Sequence, residues 1–208
     1  MARASRDRLI QVEIRDLERA ELVWGAGVAA RGMRDNPIHV AAWGDDPRHR
    51  LKVGERMFRA LLPVLSHPPI AAWRGAHAVG VVGMSDPDTC PLAFRQMVRM
   101  LPRQRPLGPA DMRRTMSWVN VWRGQDPDEP HWHLGPVAVE PGLQGMGIGS
   151  RMMEEFALRM DRERAPAYLE TDKLQNVVFY ERFGFETIDE RVALGVPNWF
   201  MRRAAPAG

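Results

Sequence analysis

The stretch "VAVEPGLQGMGIGSRM", from Val137 to Met152, decides the fold. An apolar run typical of a strand precedes its glycines, and a helical pattern follows them. Glycine adopts positive φ without strain and lets a ligand approach the backbone. The N–H groups at a helix N-terminus favour anions. The stretch therefore predicts either a plain strand-to-helix turn or a phosphate site, built around four glycines: Gly142, Gly145, Gly147 and Gly149.

Two common phosphate motifs do not fit this stretch. A P-loop needs a lysine followed by serine or threonine after its last glycine, and no lysine stands here. A dinucleotide fingerprint needs a third glycine where Ser150 stands, and a distant acidic residue after a second strand. Glycine spacing alone leaves the plain turn and the phosphate site about equally supported.

Length and charge indicate the class of protein. A chain of 208 residues with a net charge of +3 predicts one domain over 1–208 and argues against a dedicated nucleic-acid binder. Basic residues gather in "ARASRDR" near the N-terminus, which is interpreted as a solvated tail, with a polyanion-binding arm as the alternative.

Cysteine content and hydropathy narrow the class further. Cys90 is the only cysteine, which excludes an intrachain disulfide and a thiolate metal cluster. Stretches such as "AVGVVGM" are too short for a membrane span, and the first residues lack a secretory pattern. We therefore expect a cytoplasmic protein that does not associate with membranes.

Hydrophobic periodicity gives the order of elements. It predicts β-α-α-β-β, an irregular insertion over 86–130 that contains two helices, and then β-α-β-α-β-β. The helix after the glycines places Met152, Met153, Phe156 and Met160 on one face. This order implies a mixed sheet with helices on its faces.

Three segments in the C-terminal half, over 131–203, carry a family resemblance. Gln144-x-x-Gly147-x-Gly149 resembles the Q/R-x-x-G-x-G/A motif of the GNAT superfamily of N-acetyltransferases. "PVAVEP" before it resembles the fourth strand of that family, and "NVVFYERFGF" resembles its fourth helix. Together with "PAYLET", the run "EPHWHLGPVAVEPGLQGMGIGS" is most similar to the puromycin N-acetyltransferase branch. In the N-terminal half only "MRDNP" and the insertion length are similar.

The resemblance implies a fold and a co-substrate. The fold is a central mixed, mostly antiparallel sheet of about seven strands, splayed between strands 4 and 5 and flanked by helices. Acetyl-CoA would lie in the splay, with an acceptor-side half over 9–130 and an acetyl-CoA-binding half over 131–203. Main-chain groups of Val137, Ala138 and Val139 would bind the pantetheine arm. The pyrophosphate would lie on the backbone of Gln144, Gly145, Met146, Gly147, Ile148, Gly149 and Ser150.

The fourth-helix resemblance also supplies an acid candidate. Tyr180 matches the tyrosine of that helix, and a phenol that stays protonated at neutral pH donates a proton to a leaving thiolate. The alternative is a tyrosine packed against the sheet. Asn176 lies one turn earlier and would bind the cofactor arm, or cap its own helix, or both.

Direct transfer also requires a neutral amine, and two residues are candidates for the base. His133 lies on the fourth strand, and Glu170 lies on the fifth. A structural histidine and a solvated or salt-bridged carboxylate are the alternatives. His131 and His133 share a strand face that suits a metal, but the sequence offers no third ligand beside them, so we predict no metal site.

The acceptor pocket is expected from the N-terminal helices and the insertion. Methionine repacks readily around a bulky amine, although ordinary core packing explains the same pattern. The function predicted is acetyl-CoA-dependent transfer to a small-molecule amine by direct attack. A protein or peptide acceptor and a non-catalytic acyl-CoA-binding module are the alternatives, and a homodimer stays open. The pocket candidates are Met97, Met100, Met112, Met116, Trp118 and Trp122.

Overall fold

The computed structural model describes residues 11–87, 89 and 107–206, and their strands form one seven-stranded sheet. The strand order is β1-β2-β3-β4-β5-β7-β6. Every neighbouring pair is antiparallel except β4 and β5, which are parallel. The predicted mixed, mostly antiparallel sheet is confirmed. The strands are β1 (Glu13–Asp16), β2 (Ile70–Arg74), β3 (His77–Ser85), β4 (Trp132–Val139), β5 (Ala167–Thr171), β6 (Phe185–Ala193) and β7 (Val196–Arg203).

The helices flank this sheet. The segment after Asn36 contains a helix of seven residues, which adds a third helix to the two predicted between the first and second strands. The first helix predicted within the insertion lies outside the described residues, and the second one is confirmed. The helices are α1 (Leu22–Gly32), α2 (Pro37–Trp43), α3 (Pro47–Leu61), α4 (Pro109–Arg123), α5 (Ile148–Glu163) and α6 (Leu174–Glu181).

The parallel pair β4–β5 is the feature that positions the site. Its register joins Trp132 to Ala167 and His133 to Tyr168, at the first residues of both strands. Beyond these pairs, no further register partners join the two strands in the part of the chain that the structure describes. The later half of β4 is still paired with β3, from Val137 to Val139. One edge of β4 is therefore open, as the predicted splay requires.

Both faces of the sheet are covered. The four apolar residues predicted on one face of α5 are all fully buried against the strands, and α6 adds Val177 and Tyr180 to the same cluster. Helices α1 and α3 pack on the opposite face. A third cluster joins α2 and α4 through Trp43 and Trp118. The helices α2 and α4 thus form a wall beside the open edge of β4.

No helix among residues 11–87 and 107–206 combines the length and the apolar character that a membrane span needs.

Candidate active site

A large cavity of ≈ 1900 Å³ lies at the open edge of β4. Its walls come from both halves of the chain: α2, α3 and α4 on one side, and the glycine turn, the end of β5 and α6 on the other. The cavity therefore brings together the predicted cofactor residues and the predicted acceptor residues.

The glycine turn forms the entry to α5. Gly145 has φ +77° and Gly147, the N-cap of α5, has φ +82°, a region that side-chain-bearing residues rarely adopt. No side chain caps this N-terminus, so the N–H groups of its first turn are free of a competing cap. The side chain of Ile148 is buried, while its backbone belongs to the turn. This backbone fits a pyrophosphate.

Gln144 holds the turn against the sheet. Its Nε2 donates to the carbonyl oxygen of Val139 at 3.1 Å and to that of Gly32 at 3.4 Å. The side chain of this glutamine thus binds backbone carbonyls of the protein itself, not a ligand. The Val139 carbonyl at this edge is thus already bonded by Gln144, and Val137 lines the same cavity.

Two arginines accompany the turn. Arg151 lies in the first turns of α5, and Arg182 follows α6. Arg182 donates to the hydroxyl of Ser150 at 3.3 Å, and both arginines line the cavity. Their charges make this end of the cavity favourable for an anion.

Tyr180 reaches the cavity from the last turn of α6. It is 6% exposed and packs against Phe179 and Phe185. Burial raises the pKa of its phenol well above the usual value, and the nearby charge of Asp172 raises it further. The hydroxyl is therefore protonated at neutral pH, which the predicted acid role requires, and the raised pKa makes it a weaker acid than a free phenol. The same packing satisfies the alternative of a tyrosine set against the sheet.

Asn176 does not cap α6, because the N-cap is Lys173. Its Nδ2 donates instead to the hydroxyl of Thr171, at 3.1 Å, and both residues line the cavity. The interpretation of Asn176 as a helix cap is wrong. Its role as a cofactor ligand stays a prediction.

The two base candidates lie in direct contact. Nε2 of His133 lies 3.0 Å from Oε2 of Glu170, since the parallel strands β4 and β5 carry them side by side. Both residues line the cavity. The structure thus joins two candidates that the sequence treated as separate.

Sequence reasoning missed Asp126. This residue lies in "RGQDPDEP", which shows only loop signals, and no pattern there marks a functional residue. The fold places Oδ1 of Asp126 3.3 Å from Nε2 of His131 and 3.4 Å from Nδ1 of His133. The third side chain that the sequence did not offer beside the two histidines is present in the structure.

Asp172 was also missed. Its carboxylate accepts hydrogen bonds from the Ile38 backbone at 2.8 Å and from Asn36 Nδ2 at 3.3 Å. Burial nevertheless raises the pKa of this carboxyl. Asp172 therefore links the start of α2 to the end of β5. These bonds fix the wall formed by α2 and α4, here called the acceptor wall, relative to the sheet.

The predicted acceptor residues divide between pocket and core. Met112, Met116, Trp118 and Trp122 all line the cavity. Trp118 is also a buried member of the core, where it contacts Trp43 and Trp122 edge to face, so packing and pocket share this residue. Met116 is 43% exposed and belongs to the pocket side. Met97 and Met100 lie outside the described residues.

Comparisons with known proteins agree with this geometry. Residues 114–187 match the family model described as an acetyltransferase (GNAT) domain. An uncharacterized N-acetyltransferase of Schizosaccharomyces pombe is 38% identical over 58 residues, which are 28% of this chain and 24% of that relative. The match thus spans about a quarter of the curated relative.

Solved structures show the same fold at low identity. The structure of histone acetyltransferase HPA2 and related acetyltransferase from Corynebacterium glutamicum has a TM-score of 0.70 at 16% identity, covering 96% of this chain and 99% of that one. A GNAT family acetyltransferase from Brucella melitensis, in complex with acetyl-CoA, has a TM-score of 0.54 at 17% identity, covering 95% and 90%. The Drosophila melanogaster polyamine N-acetyltransferase has a TM-score of 0.63 at 12% identity, covering 93% and 100%.

Residues 114–187 are therefore similar to a GNAT acetyltransferase domain, and one of the solved structures with this fold holds acetyl-CoA. The finer similarity to the puromycin N-acetyltransferase branch stays a prediction.

Proposed function

We propose that this chain, which carries a GNAT-type domain, transfers the acetyl group of acetyl-CoA to the amine of a small molecule. The observation that carries the proposal is the shared cavity. It places an uncapped helix N-terminus, an open strand edge, a buried phenol and the Glu170–His133 pair around one space. We further propose a single domain, in which 9–130 supply the acceptor side and 131–203 supply the acetyl-CoA side.

The chemistry follows from these groups. Acetyl-CoA would supply the acetyl group as a thioester: the acceptor nitrogen forms the amide bond to the carbonyl carbon, the carbon–sulfur bond breaks, and the thiolate of coenzyme A is the leaving group. We propose that the backbone from Gln144 to Ser150 binds the pyrophosphate, and that the edge from Val137 to Val139, with Asn176, binds the pantetheine arm. The hydroxyl of Tyr180 donates a proton to the sulfur as the carbon–sulfur bond breaks. The pair of Glu170 and His133 accepts the proton that the amine gives up.

Carboxylates in the cavity lining support an amine acceptor. Glu170 and Asp172 both line the cavity, at and just after the end of β5. Carboxylates in a cleft with low-dielectric walls raise the local concentration of a cation. Apolar side chains of α4 line the neighbouring wall and would hold the body of the acceptor.

A screen for release of the coenzyme A thiol tests the proposal. The full chain is incubated with acetyl-CoA and single amines, beginning with agmatine and spermidine, because a structural neighbour is a polyamine N-acetyltransferase. Aromatic amines and peptides with free N-termini complete the panel. We expect amine-dependent release with at least one small molecule, and the acetylated product identified by its mass.

A variant with Gly147→Asp is the negative control. Its carboxylate repels an anionic ligand at the N-cap, and the left-handed backbone at this position disfavours a residue with a side chain. It should release no thiol above background. If only peptides were acetylated, the proposed acceptor would be a protein or peptide and not a small molecule. Tight acetyl-CoA binding without any transfer would favour the non-catalytic module.

A further inference from the structure

We propose that Asp126, His131 and His133 bind a divalent metal ion, and that Zn²⁺ is the ion this ligand set fits best. The three side chains each offer one ligand atom, and these atoms lie within 4.8 Å of one another. Two histidines and one carboxylate are ligands that zinc sites use.

Two of the three distances between the ligand atoms agree with a tetrahedral ion, and the third, between the two ring nitrogens, is within 4.8 Å. Zinc bonds to histidine nitrogen and carboxylate oxygen are about 2.0–2.1 Å long, and a tetrahedron with such bonds has edges of about 3.3–3.4 Å. The contacts of Asp126 Oδ1 are 3.3 Å to His131 Nε2 and 3.4 Å to His133 Nδ1. Direct charge-assisted hydrogen bonds between such groups are shorter, about 2.7–2.9 Å.

The ring nitrogens that face away from Asp126 make contacts that also agree with a bound metal ion. Nδ1 of His131 lies 2.7 Å from the carbonyl oxygen of Glu129, which only accepts, so this nitrogen carries the hydrogen. Nε2 of His133 donates to the carboxylate of Glu170 in the same way. In neutral rings, the nitrogens that face Asp126 then carry lone pairs. A cation among these lone pairs and the carboxylate would be attracted by all three groups.

Outer acceptors of this kind are usual around bound metals. A metal-binding histidine gives its other N–H to a carboxylate or a backbone carbonyl, which fixes the tautomer and the orientation of the ring. Glu170 and the Glu129 carbonyl supply one such acceptor each. The ion would therefore leave the Nε2 hydrogen of His133 directed at Glu170, and Glu170 would remain the group that accepts a proton.

The location gives the ion a structural role. Asp126 lies in the segment after α4, and the two histidines lie at the start of β4. The side chains of Asp126 and His131 are only 6% and 4% exposed. A shared ion would fasten the wall that carries the acceptor pocket to the sheet that carries the cofactor site.

Metal titration of the full chain tests the site directly. The protein is stripped with a chelator, freed of the chelator, and titrated with Zn²⁺ by calorimetry and with Co²⁺ by visible absorption. We expect one equivalent of either ion, a tetrahedral cobalt spectrum and a higher melting temperature. The variants Asp126→Asn, His131→Gln and His133→Gln should each bind at least tenfold more weakly. His77→Gln, which alters an exposed histidine at the start of β3, should bind like the wild type.

Variant Glu170→Gln keeps all three ligands and changes only an outer acceptor, so it guards against misfolding of the ligand variants. It should weaken binding roughly 10- to 100-fold. Failure of the wild type to bind a stoichiometric ion would overturn the proposal. Equal binding by the wild type and the three ligand variants would overturn it too. Because neither acetyl-CoA nor an amine is present, the result does not depend on the proposed activity.

Discussion

The two ends of the cavity are built in different ways. The cofactor end is a run of backbone from Gln144 to Ser150, contiguous in sequence and shaped by two left-handed glycines. The other end is assembled from side chains of distant segments. His133 and Glu170 are 37 residues apart in the sequence, and the hydrogen bond between Asp172 and Ile38 joins residues that are 134 positions apart. A backbone site depends on local conformation, whereas a side-chain site depends on the whole fold.

Charged side chains line both parts of the cavity. Arg151 and Arg182 accompany the glycine turn, whereas Glu170, Asp172 and Lys173 stand at and just after the end of β5. The two arginines suit an anionic co-substrate, and the two carboxylates suit the cationic acceptor that we propose. Tyr180 lines the same cavity, so its substitution tests whether the two ends act on one reaction.

The largest effect is expected for Tyr180→Phe, which removes the hydroxyl and keeps the ring. Loss of a general acid lowers the transfer rate by roughly 10²–10⁴-fold, or about 3–5 kcal/mol of barrier. Single-turnover transfer measures this loss without interference from product release. Affinity for acetyl-CoA, measured by calorimetry, should change little, because the thiolate forms only during transfer.

This variant separates the two accounts of Tyr180. Full single-turnover activity in the phenylalanine variant would return Tyr180 to a packing role. A parallel loss of acetyl-CoA affinity would show that the hydroxyl serves the cofactor end and not the chemistry.

The difference between the two ends explains what the sequence could predict. The succession of strands and helices from β4 to β7, the buried face of α5 and the strand-to-helix turn at the glycines follow from local patterns, and the structure contains them. Asp126 stands in a loop without periodicity, and nothing local links it to His131. The contact between His133 and Glu170 depends on which strands are neighbours. The alternative that Asn176 caps its helix rests on residue type alone, and the structure gives that position to Lys173.

A second test concerns the acceptor wall, where His39 stacks on Trp43 with 4.3 Å between ring centroids. Burial lowers the pKa of His39 to about 4, and the charges of Lys173 and Arg50 act in the same direction. The unfolded chain therefore binds a proton between pH 6.5 and pH 4 that the folded chain does not. The contribution of His39 to stability is complete above pH 6.5, and about 3 kcal/mol of it is lost as the pH falls to 4.

Denaturant unfolding of the wild type and of His39→Gln, from pH 7 to pH 4, measures this contribution. The difference between the two unfolding free energies should shrink as the pH falls, even if the variant is less stable throughout. The matched control is His77→Gln, at an exposed histidine, and its difference from the wild type should stay flat. A constant difference for His39→Gln would mean that this wall accepts a charged histidine.

The smallest effect is expected at Gln144, where the backbone end depends on a side chain. Its two hydrogen bonds, to Val139 and Gly32, hold the turn between the sheet and α1. A net hydrogen bond contributes about 0.5–1.5 kcal/mol, so Gln144→Ala should raise the Kd of acetyl-CoA roughly 2- to 10-fold. Gln144→Glu should raise the Kd further, because a carboxylate cannot donate to the two carbonyls and adds negative charge beside the predicted pyrophosphate site.

Gln11→Ala, at an exposed glutamine before β1, is the matched control for Gln144→Ala. Calorimetry on the four proteins gives the order directly. If Gln144→Ala bound acetyl-CoA as tightly as the wild type, the glycine turn would keep its shape without this side chain. The cofactor end would then depend on local backbone conformation alone.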